Sequence, residues 1–337
     1  MCASQCEDGR CGAAPATRPM NTRSMNISWF NRRPRPPVSG LLAASMTPFK
    51  GASIDENAFS ALVADLIEAG VDGIVTAGLA GEGSTLSEAE RERLVALAVE
   101  ASGGRCPVVA ASGSNATGQT IAWSLAARRA GADALLITVP YYNRPSQHGI
   151  LLHFTAIAEV VDLPILVHDM PDRTGVALDP QTISKLAGVN GIAGFVGKPA
   201  TLAAVNGRTT VLGADDGDVP AAHFTGCGGG LSLLANLLPR TVRLLHFACG
   251  RGDLAQARAV QNRLQPLLDA ARGEPEPTLV KAALSCLRED FDGRPRLPLI
   301  RPSPDSLLQI ELLLAELASF EATLPQALAA SRGERRP

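Results

Sequence analysis

Ala134-Leu135-Leu136-Ile137-Thr138-Val139 runs directly into Pro140-Tyr141-Tyr142-Asn143-Arg144-Pro145-Ser146-Gln147-His148-Gly149. The first six residues are apolar or β-branched and stop at a proline, the pattern of a strand covered on both faces in a parallel sheet. In α/β proteins the loop at the carboxyl end of such a strand carries the chemistry. Both tyrosines of the 337-residue chain fall in this loop, which marks it as a candidate site.

Outward from this stretch the same beat repeats. Short apolar runs predict strands at 41–45, 73–77, 107–111, 134–139, 164–168, 192–196, 209–213 and 230–233. Amphipathic segments between them, such as 56–69, 87–101, 115–130, 146–161 and 179–187, predict helices. Several stop at Gly70, Gly103, Gly131 or Gly188, a helix-ending signal. Eight strands alternating with helices predict a TIM (β/α)8 barrel over residues 39–238. A doubly wound sheet is the alternative, but the even spacing favours closure. After Leu238 the pattern is helical to the end, broken near 273–277 and 294–304, so residues 239–337 supply the last barrel helix and a C-terminal helical region. Residues 1–38 are rich in Arg, Pro, Ser and Asn and predict a disordered tail. Their Arg-rich, acid-poor composition also suits a transit peptide. Met20 and Met25 offer later starts and favour a dispensable tail.

A formal charge of −2 gives no electrostatic case for nucleic acid or an anionic membrane. No apolar run approaches the roughly 20 residues of a membrane-spanning helix. The seven cysteines have no tight paired spacing and no accompanying histidines, so the expectation is reduced thiols in a cytoplasmic protein without a metal. Lys occurs only at 50, 185, 198 and 281, so all but four of the 31 basic residues are Arg. Each lysine gains interest, because Arg cannot surrender its proton to become an amine nucleophile.

Four segments carry side chains suited to chemistry. Gly78-Leu79-Ala80-Gly81-Glu82-Gly83 follows the second strand, where backbone N–H groups and a helix N-terminus suit a carboxylate. A tight turn with Ser87 as N-cap and Glu90 closing a capping box explains the same residues equally well. His168 ends the fifth strand with Arg173 five residues on, a proton carrier beside a bidentate carboxylate partner. A half-buried structural histidine is the competing reading. Lys198 follows the sixth strand, where partial desolvation at a barrel rim would lower its pKa and free a lone pair for Schiff-base formation. Lys50, after Thr47-Pro48-Phe49, is the fallback amine. Gly226-Cys227-Gly228-Gly229-Gly230 precedes the eighth strand and reads as close packing. Asp215-Asp216 follows the seventh, with no His or further acid nearby to complete a metal site.

From Gly40 to Leu313 the chain resembles the dihydrodipicolinate synthase/N-acetylneuraminate lyase family. The shared residues are Thr47-Pro48-Phe49, Gly81-Glu82, Thr85-Leu86, Asn115-Ala116-Thr117, Pro140 to Gly149, Pro171 with Arg173-Thr174-Gly175, Asp215-Asp216, Gly228-Gly229, Val280-Lys281 and Leu297-Pro298. The resemblance implies a TIM barrel, a homodimer or homotetramer, no cofactor, and a strand-six lysine forming a Schiff base with pyruvate or a related 2-oxo acid. It implies that Tyr142 reaches across a dimer interface and that Arg173 binds substrate carboxylate.

The match is uneven. Leu79-Ala80 replaces the family's paired hydroxyl residues, and His168 replaces its strand-five tyrosine. Aligned without gaps from Pro171, the Schiff-base position falls on Val196, and Lys198 lies two residues later. Side chains alternate faces with period two, so Lys198 still faces the barrel interior, one layer nearer the rim. The leading expectation is a class I lyase with Lys198 as nucleophile, His168 and Tyr142 as acid/base groups, the Gly81 and Glu82 backbone as carboxylate cradle, and Arg173 as distal clamp. His168 would then give a pH limb around 6 to 7. The rival is a non-catalytic barrel that binds a small acid, with Val196 marking loss of the nucleophile.

Overall fold

The computed structural model describes residues 38–199, 205 and 209–325. The expected tail at 1–38 therefore lies, except for Val38, outside the described residues, as do residues 326–337. Ten strands form: β1 (Gly40–Ala44), β2 (Phe49–Lys50), β3 (Ser53–Ile54), β4 (Gly73–Thr76), β5 (Val108–Ala111), β6 (Ala134–Thr138), β7 (Ile165–His168), β8 (Ile192–Gly197), β9 (Thr210–Gly213) and β10 (Gly229–Ser232). All but the β2–β3 hairpin close into a parallel barrel ordered β1-β10-β9-β8-β7-β6-β5-β4. Each barrel strand matches an expected one within a residue or so at either end.

Closure follows from composition. Leu42, Val75, Val109, Ala134, Leu136, Leu166, Val196 and Leu212 fill the interior as one cluster. The outward faces of the strands pack beneath helices, among them α1 (Glu56–Glu68), α2 (Glu88–Ser102), α3 (Thr117–Arg129), α4 (Gln147–Val160), α6 (Pro180–Ala187) and α7 (Val219–Phe224), while the single turn of α5 (Pro171–Thr174) directly follows β7 at the barrel's carboxyl end. Strands buried on both faces read as unbroken apolar runs. Glycine closes the seam: a Cβ on Gly229 would lie 2.0 Å from the Gly40 carbonyl oxygen, so β10 meets β1 only without a side chain there. Ser87 and Glu90 form the expected capping box at the start of α2.

The C-terminal region comprises α8 (Pro239–Arg251), α9 (Leu254–Arg272), α10 (Thr278–Leu287) and α11 (Pro304–Thr323). Lys281 on α10 and Glu82 in the β4–α2 loop form an ion pair, both side chains fully buried. Glu82 also accepts the Arg296 backbone N–H at 2.8 Å, and the Arg296 guanidinium pairs with Glu90 at 2.6 Å. The Lys281 amine and the Arg296 guanidinium each lie 4.1 Å from the centre of the Phe49 ring. This network ties the helical region to the carboxyl end of the barrel.

Removing one partner of a buried pair strands the other charge in low dielectric, whereas removing both is often tolerated. Lys281→Met should therefore destabilise the fold by about 3–5 kcal/mol. Glu82→Gln combined with Lys281→Met should recover much of that loss, read from urea unfolding midpoints of the variants.

Candidate active site at the carboxyl rim

The inward faces of the strand ends enclose a cavity of about 430 Å3 at the carboxyl rim. Ala44, Val75, Ala111, Leu136, Ala214 and Leu231 line its base together with Thr138 and His168, and Lys198 lines its rim. Strand register explains this grouping: Ala44 pairs with Val75, Ala111 with Leu136, Thr138 with His168, and His168 with Val196. Directly paired residues share a face, so these positions form successive stretches of one inner ring.

Lys198 and Val196 occupy different depths. Val196 is fully buried in the interior cluster beside His168. Lys198 follows β8 by one residue and lines the cavity, as period-two alternation predicts. A register shift between β7 and β8, opposite Ile165 and Leu166, skips Ala193 and brings Gly194 into line with Leu166. No residue pattern announced that bulge. A Cβ on Gly194 would lie 2.6 Å from the Thr210 carbonyl oxygen, so the bulged strand packs close only with glycine there.

The electrostatics of Lys198 differ from expectation. Its side chain is 54% exposed and ion-paired to Asp172, which raises the amine above its ordinary value. The desolvation argument for a lowered pKa fails because the amine stands at the water-filled rim, beside a carboxylate of α5.

His168 also departs from expectation. It is buried, its Nε2 has no hydrogen-bond partner, and burial lowers its pKa to about 4. The expected limb at 6 to 7 is corrected accordingly: the imidazole is neutral at physiological pH. The groups displaced toward neutrality are Asp169 and Asp216, both raised to about 6 by burial and both lining the cavity. Each keeps one oxygen unpartnered; the other accepts the Leu178 N–H at 3.4 Å in Asp169 and the Leu233 and Leu234 N–H groups at 2.9 Å in Asp216.

The expected carboxylate cradle, Gly81 and Glu82, lies beside the cavity rather than in its wall. Gly78, Leu79 and Ala80 line the cavity; Gly81 and Glu82 do not. The Glu82 N–H is committed to the Leu79 carbonyl at 3.0 Å, and its carboxylate is committed to Lys281 and Arg296. Glu82 holds a left-handed backbone (φ 52°), which shapes the loop.

Arg173, on α5, lines the mouth and pairs with Glu276 at 3.1 Å. Tyr142 does not line the cavity. It is 91% exposed with a left-handed φ of 70°, presenting its phenol outward from the loop after β6. The Asn143 side chain holds that loop through the Asn115 carbonyl at 3.0 Å. Asp172, Glu274 and Glu276 were missed as cavity residues. Asp172 is adjacent to Arg173 in sequence, but nothing there pointed to Lys198 as its partner. Among the described residues no group of three or more His, Cys, Asp or Glu side chains is placed to hold a metal ion. No described helix is long and apolar enough to cross a membrane.

A family model for the dihydrodipicolinate synthetase family matches residues 37–317. The chain belongs to this family. A 4-hydroxy-tetrahydrodipicolinate synthase from Hyphomonas neptunium is 39% identical, covering 82% of this chain and 97% of the relative. One from Thermomicrobium roseum is 38% identical over 85% and 96%. Among solved structures, the 4-hydroxy-tetrahydrodipicolinate synthase of Methylacidiphilum fumariolicum SolV superposes with a TM-score of 0.81 at 33% identity, covering 85% of this chain and 97% of that one. The dihydrodipicolinate synthase of Acinetobacter baumannii, solved with pyruvate, gives 0.80 at 31%, covering 83% and 99%.

The pH dependence of His168 has a definite sign. Its folded pKa of about 4 lies below the unfolded value of about 6.5, so its burial costs stability as pH falls between those values. Asp169 and Asp216, raised to about 6, act oppositely over about pH 4 to 6. His168→Phe should therefore shallow the fall in melting temperature from pH 6.5 toward 4. Ring-proton NMR on the wild type should show His168 neutral down to about pH 4.

Proposed function

We propose that this family barrel is a class I, Schiff-base lyase acting on pyruvate or a related 2-oxo acid at the rim cavity, with Lys198 as the amine. The observation that carries the reading is the placement of Lys198. It is the one lysine lining the cavity, on the inward parity of β8, sharing the mouth with Arg173. Family membership supplies the reaction class. The named relatives are synthases, and one solved neighbour was captured with pyruvate.

In this reading the substrate carboxylate docks on the backbone of Gly78–Ala80, with Arg173, paired to Glu276, at the mouth beside it. Lys198 transfers a proton to Asp172, its Nζ bonds to the C2 carbonyl carbon, and the carbonyl oxygen departs as water, leaving an imine that serves as an electron sink. Neutral His168 offers a hydrogen bond at the base, and Asp169 and Asp216, poised near 6, are the groups able to exchange protons at working pH. Tyr142 acts in an oligomer, crossing a subunit interface, which accounts for a phenol presented to solvent on strained backbone. The protein is then a homodimer or homotetramer working in the cytoplasm.

The competing reading, a barrel that binds a small acid without covalent chemistry, is favoured by buried Val196 and by the raised Lys198 amine. Borohydride with pyruvate separates the two. One reduced adduct per chain should form on Lys198, and Lys198→Arg should abolish it, because Arg supplies no free amine. No adduct with any 2-oxo acid supports the binding-only barrel. Asp172 is the leading cause of the raised pKa, so Asp172→Asn should move the pH limb of trapping to lower pH. Sedimentation velocity at micromolar concentration should show a dimer or larger, and a monomer would remove the role given to Tyr142.

A further inference from the structure

The base of the cavity is far more apolar than its mouth. Of the inward-facing residues there, Ala44, Val75, Ala111, Leu136, Ala214 and Leu231 have no polar side-chain atom. Thr138 and His168 are the exceptions, and His168 is uncharged at neutral pH. Leu79 extends apolar surface to the mouth, where it is 37% exposed. A base with so few hydrogen-bonding groups gives a hydroxylated or charged substrate tail little to replace its water. It rewards an alkyl tail through burial.

The charges at the mouth limit the rest of the ligand. Each cation there is already matched: Lys198 on Asp172, Arg173 on Glu276, and Arg272 on Asp215. Asp169, Asp216 and Glu274 line the cavity beyond those pairs. A second carboxylate on the ligand would add repulsion without finding a free cation. A single carboxylate can dock on the Gly78–Ala80 backbone, leaving the carbon chain over the apolar base.

We infer that the substrate class is a monocarboxylic 2-oxo acid with an alkyl side chain, rather than a 2-oxo dicarboxylate or polyhydroxylated acid. This rests on the proposed 2-oxo acid site but not on the Schiff base.

Isothermal titration calorimetry of the full-length protein at pH 7 and fixed ionic strength tests it with pyruvate, 2-oxobutanoate, 2-oxopentanoate, 2-oxohexanoate and 2-oxoglutarate. Each buried methylene contributes ~0.8 kcal/mol, so affinity should rise about fourfold per added carbon until the base is filled. 2-Oxoglutarate should bind more weakly than 2-oxopentanoate, which has the same chain length. Ala214→Leu, which fills part of the base, should flatten the series. A flat or falling wild-type series, tightest binding by 2-oxoglutarate, or no binding by any of them overturns the inference. Repeating the series with Lys198→Arg separates this result from the chemistry. A rising series with no borohydride adduct keeps the alkyl specificity and removes the lyase reading. An adduct with a flat series does the reverse.

Discussion

The buried ion pair between Glu82 and Lys281 is the constraint on which the rim depends. Two opposite charges without water must stay together, because separating them leaves each in a medium that solvates neither. One belongs to the loop after β4 and the other to α10, nearly 200 residues on. The pair, with Arg296 and Phe49 beside it, fixes the helical region against the loop whose preceding residues, Gly78–Ala80, line the cavity. Glu82 thereby fixes the architecture of the loop, its carboxylate committed to Lys281 and the Arg296 backbone rather than to the cavity. α9 and the segment leading into α10 then supply Arg272, Glu274 and Glu276 to the mouth.

The barrel was legible because its strands are buried on both faces. Runs such as Ala134–Thr138 and Ile165–His168 leave few alternatives to a covered parallel sheet, and glycines marked several helix ends. The inward orientation of Lys198 was legible for the same reason, since alternation along a strand is a local property. Its protonation was not. That depends on Asp172, brought beside it by the turn of α5 after β7, and on how far the side chain extends into solvent. His168 fails in the opposite direction: the residue type suggested a proton carrier near neutrality, but three-dimensional burial with no partner on Nε2 sets its value. Tyr142 was legible as unusual and remains so, 91% exposed on a left-handed backbone and away from the cavity.

These features make one account. Val196 occupies the interior layer beside His168, and the amine stands one layer higher, where water and Asp172 reach it. A base poor in polar groups and an amine at the rim are compatible with each other. An amine at the rim can meet a carbonyl carbon at the mouth while the rest of the substrate descends onto alanine, valine and leucine. The cost is a lysine that holds its proton more tightly, and Asp172 is placed to take it.

The most direct measurement of this account is a crystal structure of the protein soaked with 2-oxobutanoate. The account predicts continuous density from Lys198 Nζ to C2 of the ligand, the carboxylate on the Gly78–Ala80 backbone, the ethyl group against Ala214 and Leu136, and Asp172 released from its ion pair. An unmodified Lys198 still on Asp172, with the acid bound elsewhere or absent, would contradict it.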